Sequence, residues 1–291
     1  MTAKLLSGKE FLEAEKSRLR ERIEKLNRAP GLGTILVGQD PNSQSYVRHK
    51  HEACADVGIT SHHRELSDDA TQKDVLDAIA EMNSNPEVDA FIVQLPLPKH
   101  CDEEQALLAI DPSKDADGLH PVNLGKLVMG VDAPRPCTPL GIQALLKDNG
   151  VELGGKHVVI IGRGLTIGRP LANLLTLKED GANATVTIVH TGTPDISIYT
   201  READVVIAAV GVPGVVTPDM IKDGAVLVSA GMTFAEGRKL IPDISEECAE
   251  KASFITPRVG GVGPTTIAML LRNTVAAAEK SANSANSPAL G

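Results

Sequence analysis

The stretch QSYVRHKHEA, between Gln44 and Ala53, places Tyr46 four residues before Lys50. Tyr46 is one of only two tyrosines in a 291-residue chain that has no tryptophan. Residues at i and i+4 share one face of a helix, so the ring of Tyr46 could form a stacking surface beside the ammonium of Lys50. Exposed lysines are common and rarely do chemistry, so an ordinary solvated helix face is the competing interpretation.

A glutamine and two aspartates elsewhere have positions suited to holding a ligand. Gln94 lies near the end of the apolar run AFIVQL, which Pro96 stops, and open α/β sheets bind ligands at the carboxyl ends of their strands. Asp115 and Asp117 stand close together in KDADGLHPVNLGKL. Paired carboxylates could bind a metal, but few further ligands accompany them. We favour one carboxylate that accepts hydrogen bonds from a ligand, with a simple Asp-Gly turn as the alternative.

A glycine-rich turn between an apolar strand and a helix is typical of nucleotide binding. HVVIIGRGLTIGRP carries Gly162, Gly164 and Gly168 in the pattern G-x-G-x-x-x-G, one residue longer than the usual dinucleotide fingerprint. Such a turn must be tight, must let the backbone approach phosphate and must offer the N–H groups of the helix N-terminus to the anion. By itself the pattern is weak, but the apolar strands around it favour a nucleotide domain.

The residues after ATVTIV bear on which cofactor binds. An NAD site usually has an acidic residue there, whereas this chain has His190, Thr191, Gly192 and Thr193. A hydroxyl, an imidazole and the nearby Arg163 suit a 2′-phosphate better. The pattern therefore favours NADP, and a plain surface turn is the alternative.

A second glycine-rich stretch, TPRVGGVGPTT, precedes the last predicted helix. It lacks the lysine of a P-loop, so it is either a phosphate cradle or a turn against which a flat ligand packs. No metal site is expected, because no metal-ligand spacing links the histidines His62, His63, His100 and His120.

Two series of alternating strands and helices must position these residues. The predicted strands are 34–38, 59–66 and 90–95 in the first series and 157–162, 184–190, 204–210 and 225–231 in the second. The predicted helices include an amphipathic opening helix, 43–57 ended by Gly58, 72–82 and 265–279. This alternation predicts the α/β class with mostly parallel sheets.

Composition narrows the function classes. The formal net charge of −9 argues against a general nucleic-acid binder, and no apolar run reaches membrane-spanning length. The four cysteines form no C-x-x-C pair and the N-terminus has no apolar signal core, so a reduced, cytoplasmic protein is expected. The small, polar residues 282–291 are predicted to form a disordered tail.

Six segments in order resemble one family: VGQDPNSQSYVRHKHEACADVGI, FIVQLPLPKH, DPSKDADGLHPVNLGKL, PCTPLGI, VVIIGRGLTIGRP and TPRVGGVGPTT. The chain resembles the bifunctional methylenetetrahydrofolate dehydrogenase/cyclohydrolases in their short bacterial form. The resemblance implies two α/β domains with a ligand cleft between them, and a homodimer. It places a folate-binding catalytic domain at 1–138, completed by the C-terminal helix 264–281, and a Rossmann-like NADP-binding domain at 139–263.

The resemblance also implies residue roles. Lys50, Gln94, Tyr46 and Asp117 match the family's catalytic positions, with Lys50 as the proton handler. The implied folate contacts are Tyr46, Val47, Arg48, His49, Lys50, Val93, Gln94, Leu95, Asp117, Val259, Gly260, Gly261, Val262 and Gly263. The implied cofactor contacts are Gly162, Arg163, Gly164, Gly168, His190, Thr191 and Met232. No metal is implied.

The implied reactions are hydride transfer from 5,10-methylenetetrahydrofolate to NADP, and hydrolysis of the methenyl product to 10-formyltetrahydrofolate. The chain departs from the family pattern at Gly164 and Thr191, where serine is usual, and at Gly192, where a basic residue is frequent. Ser229-Ala230 replaces Asp-Val, and Arg258-Val259 replaces Val-Pro. Two other functions compete with this one: another two-domain NAD(P) dehydrogenase acting on a small acid, and a non-catalytic NADP sensor.

Overall fold

The structure is a computed structural model that describes residues 2–234 and 240–286, with the backbone alone described at 42, 232, 234 and 284–286. The chain divides into two compact units. We call one the six-stranded unit, which contains the residues up to Glu13, 127–130 and 136–266. The other, the three-stranded unit, contains 14–126, 131–135 and the residues from Ile267 on.

The three-stranded unit is built on a parallel sheet whose middle strand comes first in the chain. The strand order is β3 (Thr60–Leu66), β2 (Gly31–Val37) and β4 (Ala90–Val93). The helices of this unit are α2 (Pro41–Val57), α3 (Gln72–Ser84) and α4 (Glu103–Ala109). Every residue of β2 and β4 is buried, which explains their continuous apolar sequences.

The six-stranded unit also has an all-parallel sheet. Its order is β1 (Lys4–Leu5), β11 (Phe254–Ile255), β8 (Val226–Ser229), β7 (Val205–Ala208), β5 (His157–Ile161) and β6 (Thr185–Val189). Its helices are α6 (Cys137–Asp148), α7 (Gly168–Leu175) and α8 (Ser197–Thr200), with short 3-10 turns at Pro218–Met220 and Glu246–Glu250. Strands β9 (Met232–Phe234) and β10 (Leu240–Pro242) pair antiparallel.

Three helices pass from one unit into the other along the chain. They are α1 (Gly8–Ile23), α5 (Pro121–Met129) and α9 (Val262–Asn286). Each unit has its own apolar core. One surrounds Phe91, Ile35 and Ile79 in the three-stranded unit, and the other surrounds Val159, Val206 and Leu227 in the six-stranded unit.

The two sheets share a topological feature that creates ligand sites. In the three-stranded unit, β3 lies on one side of β2 and β4 on the other. In the six-stranded unit, β6 and β7 flank β5 in the same way. The next two strands of the chain therefore lie on opposite sides of β2, and the same is true of β5. Open α/β sheets bind ligands at the carboxyl ends of the strands at such a topological switch point.

The predicted α/β class and mostly parallel sheets are confirmed. Several bounds differ from the predictions. Strand β4 ends at Val93, so Gln94 and Leu95 follow the strand instead of belonging to it. The last helix begins at Val262 and runs to Asn286, so residues 282–286, predicted as disordered, are helical. Residues 287–291 of the predicted tail lie outside the described residues.

The N-terminal residues contribute to the six-stranded sheet. Strand β1 pairs with β11 at the edge of that sheet, whereas the resemblance places residues 1–138 in the folate-binding domain. The amide of Leu6 donates to the carbonyl of Ile255 at 2.9 Å, which extends this pairing. Edge pairing is a long-range contact, and no local pattern in the first residues specifies it.

Candidate active site

Helix α2 carries Lys50, and local signals define both of its ends. The carboxylate of Asp40 accepts a 2.8 Å hydrogen bond from the amide of Ser43 and so caps the first turn. Pro41 occupies the first helical position, where its missing N–H costs nothing. Gly58 ends the helix in the left-handed conformation with φ of 86°. These signals fix the two ends of the helix that carries Lys50.

Lys50 is buried, with 8% of its surface exposed, and its ammonium donates a 3.0 Å hydrogen bond to Oε1 of Gln94. The other end of the Gln94 amide donates to the carbonyl of Leu95 at 2.7 Å, and this second bond orients the oxygen toward Lys50. The Gln94 backbone amide also donates to Ile35 at 2.8 Å. Among the described residues, no carboxylate forms a salt bridge with Lys50.

Tyr46 lies one turn before Lys50 and is 52% exposed, so its ring is accessible to a flat ligand. The neighbouring predicted contacts are placed differently. Val47 is buried in the apolar interior. Arg48 is exposed and lies 4.0 Å from the carboxylate of Glu52, on the far side of the helix by the geometry of 100° per residue. His49 is exposed as well.

The structure separates the roles of the two aspartates. Asp115 is buried and accepts three hydrogen bonds, from the amides of Gly118 at 3.0 Å and His120 at 2.8 Å and from the side chain of Asn123 at 2.9 Å. Asp115 therefore fixes the loop that follows the isolated β-bridge between Phe91 and Asp115 itself. Asp117 is partly buried and accepts no hydrogen bond from a described residue, which leaves its oxygens for a ligand.

Burial raises the pKa of the Asp117 carboxyl, the ammonium of Lys50 opposes that shift, and Asp115 adds to it. Asp117 and Lys50 therefore lie within electrostatic range of each other. Asp117 and Gln94 both come at the carboxyl edge of the three-stranded sheet, since the segment before Asp117 pairs parallel with β4. The structure thus brings Lys50, Gln94 and Asp117 together at the switch point of this unit.

The glycine-rich loop after β5 has the shape of a phosphate cradle. Gly162 has φ of 114°, and a Cβ there would lie 2.6 Å from the carbonyl oxygen of Ala209. A Cβ at Gly168 would collide with the carbonyl of Gly162. In the first turn of α7 the amide of Arg169 donates to the carbonyl of Gly164 at 3.1 Å, but no side chain caps the turn, and a helix N-terminus favours an anion. These features fit a dinucleotide, and Gly164, with open space around its Cβ position, leaves room beside it.

The turn after β6 uses one of its predicted cofactor residues, His190, in internal hydrogen bonds. The amide of His190 donates to Oγ1 of Thr193 at 3.1 Å, and Nδ1 of His190 accepts from the amide of Gly192 at 3.0 Å. With Nδ1 as an acceptor, Nε2 carries the proton and can donate. Thr191 and Arg163 are exposed. The side chain of Met232 lies outside the described residues.

The second glycine-rich turn belongs to the six-stranded unit. The carbonyl of Gly260 accepts from the amides of Gly8 at 2.9 Å and Lys9 at 3.2 Å. Val259 is 62% exposed. Val262 is buried and, with Gly263, lies in the first turn of α9 rather than in a loop. Gly261 precedes that turn. Val262 therefore packs in the interior, and its folate contact stays a prediction.

No group of three or more potential metal ligands occurs among the residues described. In the same part of the chain, no helix combines the length and apolarity that crossing a membrane requires.

Sequence reasoning missed one element of the nucleotide site. The loop 209–214 follows β7 and therefore borders the switch point opposite the glycine-rich loop. Its sequence, AVGVPG, signals a turn but no ligand. The strand order of the six-stranded sheet is the observation that identifies it.

Both parts of the chain match known families. Residues 6–117 match the catalytic domain of tetrahydrofolate dehydrogenase/cyclohydrolase, and residues 136–282 match its NAD(P)-binding domain. The chain is 55% identical over 288 residues to the bifunctional protein FolD of Syntrophotalea carbinolica, covering 98% of this chain and 99% of that protein.

Solved structures of the same kind of enzyme are also similar to this chain. The bifunctional enzyme FolD of Campylobacter jejuni is 42% identical, with a TM-score of 0.92 over 96% of this chain and 99% of that chain. The methylenetetrahydrofolate dehydrogenase-cyclohydrolase of Trypanosoma brucei, solved with NADP and an inhibitor, is 37% identical, with a TM-score of 0.90 over 97% of this chain and 99% of that chain. The chain belongs to the tetrahydrofolate dehydrogenase/cyclohydrolase family.

Proposed function

We propose that Lys50, Gln94, Tyr46 and Asp117 form the centre at which this bifunctional enzyme performs both of its reactions. The enzyme oxidises 5,10-methylenetetrahydrofolate with NADP and hydrolyses the 5,10-methenyl product to 10-formyltetrahydrofolate. The observation that carries the proposal is a buried lysine whose ammonium is bonded to an amide oxygen instead of a carboxylate. Such a group is held in place but is not neutralised.

Lys50 serves the hydrolytic step. Water that adds to the cationic methenyl carbon must lose a proton, and the ring nitrogen that departs must gain one. Lys50 can accept and donate protons at Nζ, and general acid–base catalysis requires a group within hydrogen-bond reach of the reacting atoms. Gln94 fixes that nitrogen, because its own amide is anchored to the carbonyl of Leu95. No metal is needed, since the methenyl carbon is already electrophilic.

Tyr46 and Asp117 position the folate. The exposed ring of Tyr46 provides a face for the flat aromatic part of the substrate. Asp117 accepts hydrogen bonds from pterin N–H groups, and a charged acceptor strengthens such bonds. Its lack of donors among the described residues supports this role, because removing a carboxylate even partly from water without a partner is costly unless a ligand supplies the hydrogen bonds.

The dehydrogenase step depends on alignment more than on proton transfer. Bound NADP supplies the hydride acceptor. The loop at Gly162 and Gly164 and the first turn of α7, which no side chain caps, would hold its pyrophosphate. Arg163, Thr191 and Nε2 of His190 would contact the 2′-phosphate.

A spectrophotometric assay tests the function directly. Methylenetetrahydrofolate is supplied with NADP or NAD, and absorbance is read before and after acid, which converts the formyl product to the methenyl form. Formation of both products with NADP is expected. Turnover of a small hydroxy acid instead, or NADP binding without turnover, would reject the proposal in favour of one of the competing functions.

We also propose that the protein is a cytoplasmic homodimer that binds tetrahydrofolate derivatives and neither nucleic acid nor membranes. The dimer is supported by the resemblance alone. The four cysteines are buried and form no disulfide within the described residues, which supports a reducing compartment. The net charge of −9 supports the absence of nucleic-acid partners. Light scattering coupled to size exclusion would measure the oligomeric state.

A further inference from the structure

The loop 209–214 forms one border of the switch point in the six-stranded unit. The glycine-rich loop after β5 forms the other border, and the two are in contact. The carbonyl of Ala209 approaches the Cβ position of Gly162, which only glycine leaves empty. Any shift of the loop at Val210 and Gly211 therefore changes the surface that a dinucleotide would meet.

A buried carboxylate holds this loop from behind. Asp243 follows β10 and is fully buried. Its Oδ2 accepts hydrogen bonds from the amide of Val210 at 2.8 Å and the amide of Gly211 at 3.1 Å. Gly231 makes this approach possible, since a Cβ there would collide with Oδ2 of Asp243.

A second hydrogen bond fixes a carbonyl of the same loop. Oγ1 of Thr233 donates to the carbonyl of Gly211 at 2.6 Å. The backbone of Asp243 is in turn fixed, because its amide donates to Oγ of Ser229 at 3.0 Å. Ser229 ends β8, so the carboxylate is tied to the central sheet.

Burying the carboxylate of Asp243 behind this loop lowers the stability of the fold. Its Oδ1 is buried and has no hydrogen-bond partner among the described residues, and within that part of the chain no lysine or arginine forms a salt bridge with it. A buried carboxylate with one unsatisfied oxygen destabilises a fold. A neutral acceptor could satisfy the two amides without burying a charge, so stability alone does not explain the residue.

We propose that Asp243 is a positioning residue for the dehydrogenase reaction. By fixing the peptide planes of Val210 and Gly211, it sets the wall of the switch point against which NADP binds. It touches neither folate nor Lys50, which belongs to the other unit. The inference rests on the proposed NADP-dependent activity and concerns that half of the enzyme only.

Two variants and a matched control test the proposal. Asp243→Asn keeps one oxygen acceptor but loses the charge, and Asp243→Ala loses both. Asp204→Asn is the control, because Asp204 accepts from the amide of His157 at 2.8 Å and from Lys222 at the opposite end of β7. Each variant is measured for the Kd of NADP by calorimetry, for amide exchange at Val210 and Gly211 without cofactor, and for cyclohydrolase rate on methenyltetrahydrofolate.

Asp243→Asn is expected to raise the Kd of NADP roughly 10-fold, and Asp243→Ala up to roughly 100-fold, as loss of charge-assisted bonds implies. Amide exchange at Val210 and Gly211 should accelerate in both, and cyclohydrolase should stay unchanged. Asp204→Asn should lower the Tm and leave the Kd alone. An unchanged Kd in Asp243→Asn, or an equal rise in Asp204→Asn, would overturn the proposal. If Asp243→Ala fails to fold, Asp243→Asn decides. Wild-type protein that does not bind NADP would instead reject the proposed function.

Discussion

The ammonium of Lys50 lies 3.0 Å from Oε1 of Gln94, a residue 44 positions away in the sequence. Helix α2 follows β2 and Gln94 follows β4, and these strands are neighbours in the three-stranded sheet. The hydrogen bond therefore joins the two elements that leave the carboxyl edge at the switch point. In the mechanism that we propose, this bond holds the proton-transferring group without a charged partner, which suits the hydrolysis of a methenyl cation.

Replacement of Lys50 should separate the two activities. Lys50→Met keeps length and some packing but removes the proposed proton handler, so the cyclohydrolase rate should fall by roughly 10²–10⁴-fold. The dehydrogenase rate should fall less, because hydride transfer depends on alignment, and methenyl product should accumulate. Lys16→Met is the control, since Lys16 is a buried lysine of the same unit that pairs with Asp56 at 2.8 Å. Equal loss of both activities in Lys50→Met would mean that Lys50 mainly positions substrate.

Asp115 and Asp117 should respond differently to the same substitution. Asp117→Asn should weaken folate use in both reactions by roughly 10- to 100-fold, as expected for a charge-assisted hydrogen bond, with NADP affinity preserved. Asp115→Asn should lower the Tm, because both carboxylate oxygens accept hydrogen bonds and an amide NH2 in either place would face a donor. Steady-state kinetics and thermal unfolding distinguish them. Unfolding of Asp117→Asn would identify Asp117 as a structural turn residue.

Ionisation of the Asp117 carboxyl should lower the free energy of unfolding as pH rises. Because burial raises its pKa in the folded protein above the ordinary value of 3.8, the folded state binds this proton more tightly than the unfolded chain does. Stability is then lost as pH rises from near 3.8 through the folded pKa. Asp117→Asn should therefore have a higher Tm than wild type at about pH 8, and the difference should shrink toward about pH 4. A difference that grows on acidification would show the opposite pKa shift.

Cofactor preference should depend on Arg163. NADP should be used much better than NAD, because no acidic residue follows β6 and Arg163 is exposed beside the glycine-rich loop. Arg163→Gln should lower kcat/KM for NADP by roughly 10-fold while changing that for NAD little, as loss of a charged phosphate contact implies. Arg201→Gln is the control, since Arg201 binds the carbonyl of Asp219 at 3.0 Å in the same unit. A wild-type kcat/KM for NAD that equals the value for NADP would contradict this prediction.

Two glycines of the same loop should tolerate serine differently. A Cβ at Gly164 meets nothing within 4 Å, so Gly164→Ser should fold normally and should tighten NADP binding roughly 2- to 10-fold through one neutral hydrogen bond. At Gly168 a Cβ would collide with the carbonyl of Gly162, so Gly168→Ser should lower both Tm and NADP affinity. Calorimetry and thermal unfolding provide the comparison. Weaker NADP binding in Gly164→Ser would show that the space beside the loop is needed for another purpose.

The sequence by itself determined the features that depend on neighbouring residues. Asp40, Pro41 and Gly58 define the ends of α2 because capping needs only side chains and backbone amides within one turn. Alternating apolar strands and helices predicted parallel sheets. The order of six motifs predicted the family, which the comparisons confirmed.

Only the tertiary structure decided which predicted residues are available for chemistry. Asp115 and Asp117 are equivalent in the sequence, but Asp115 is committed to three hydrogen bonds and Asp117 to none from the described residues. Lys50 is buried while Tyr46 on the same helix is exposed. Asp243 reaches Val210 and Gly211 across more than thirty positions. Each of these outcomes depends on strand order and long-range packing, which no local pattern encodes because distant side chains compete for the same hydrogen-bonding groups.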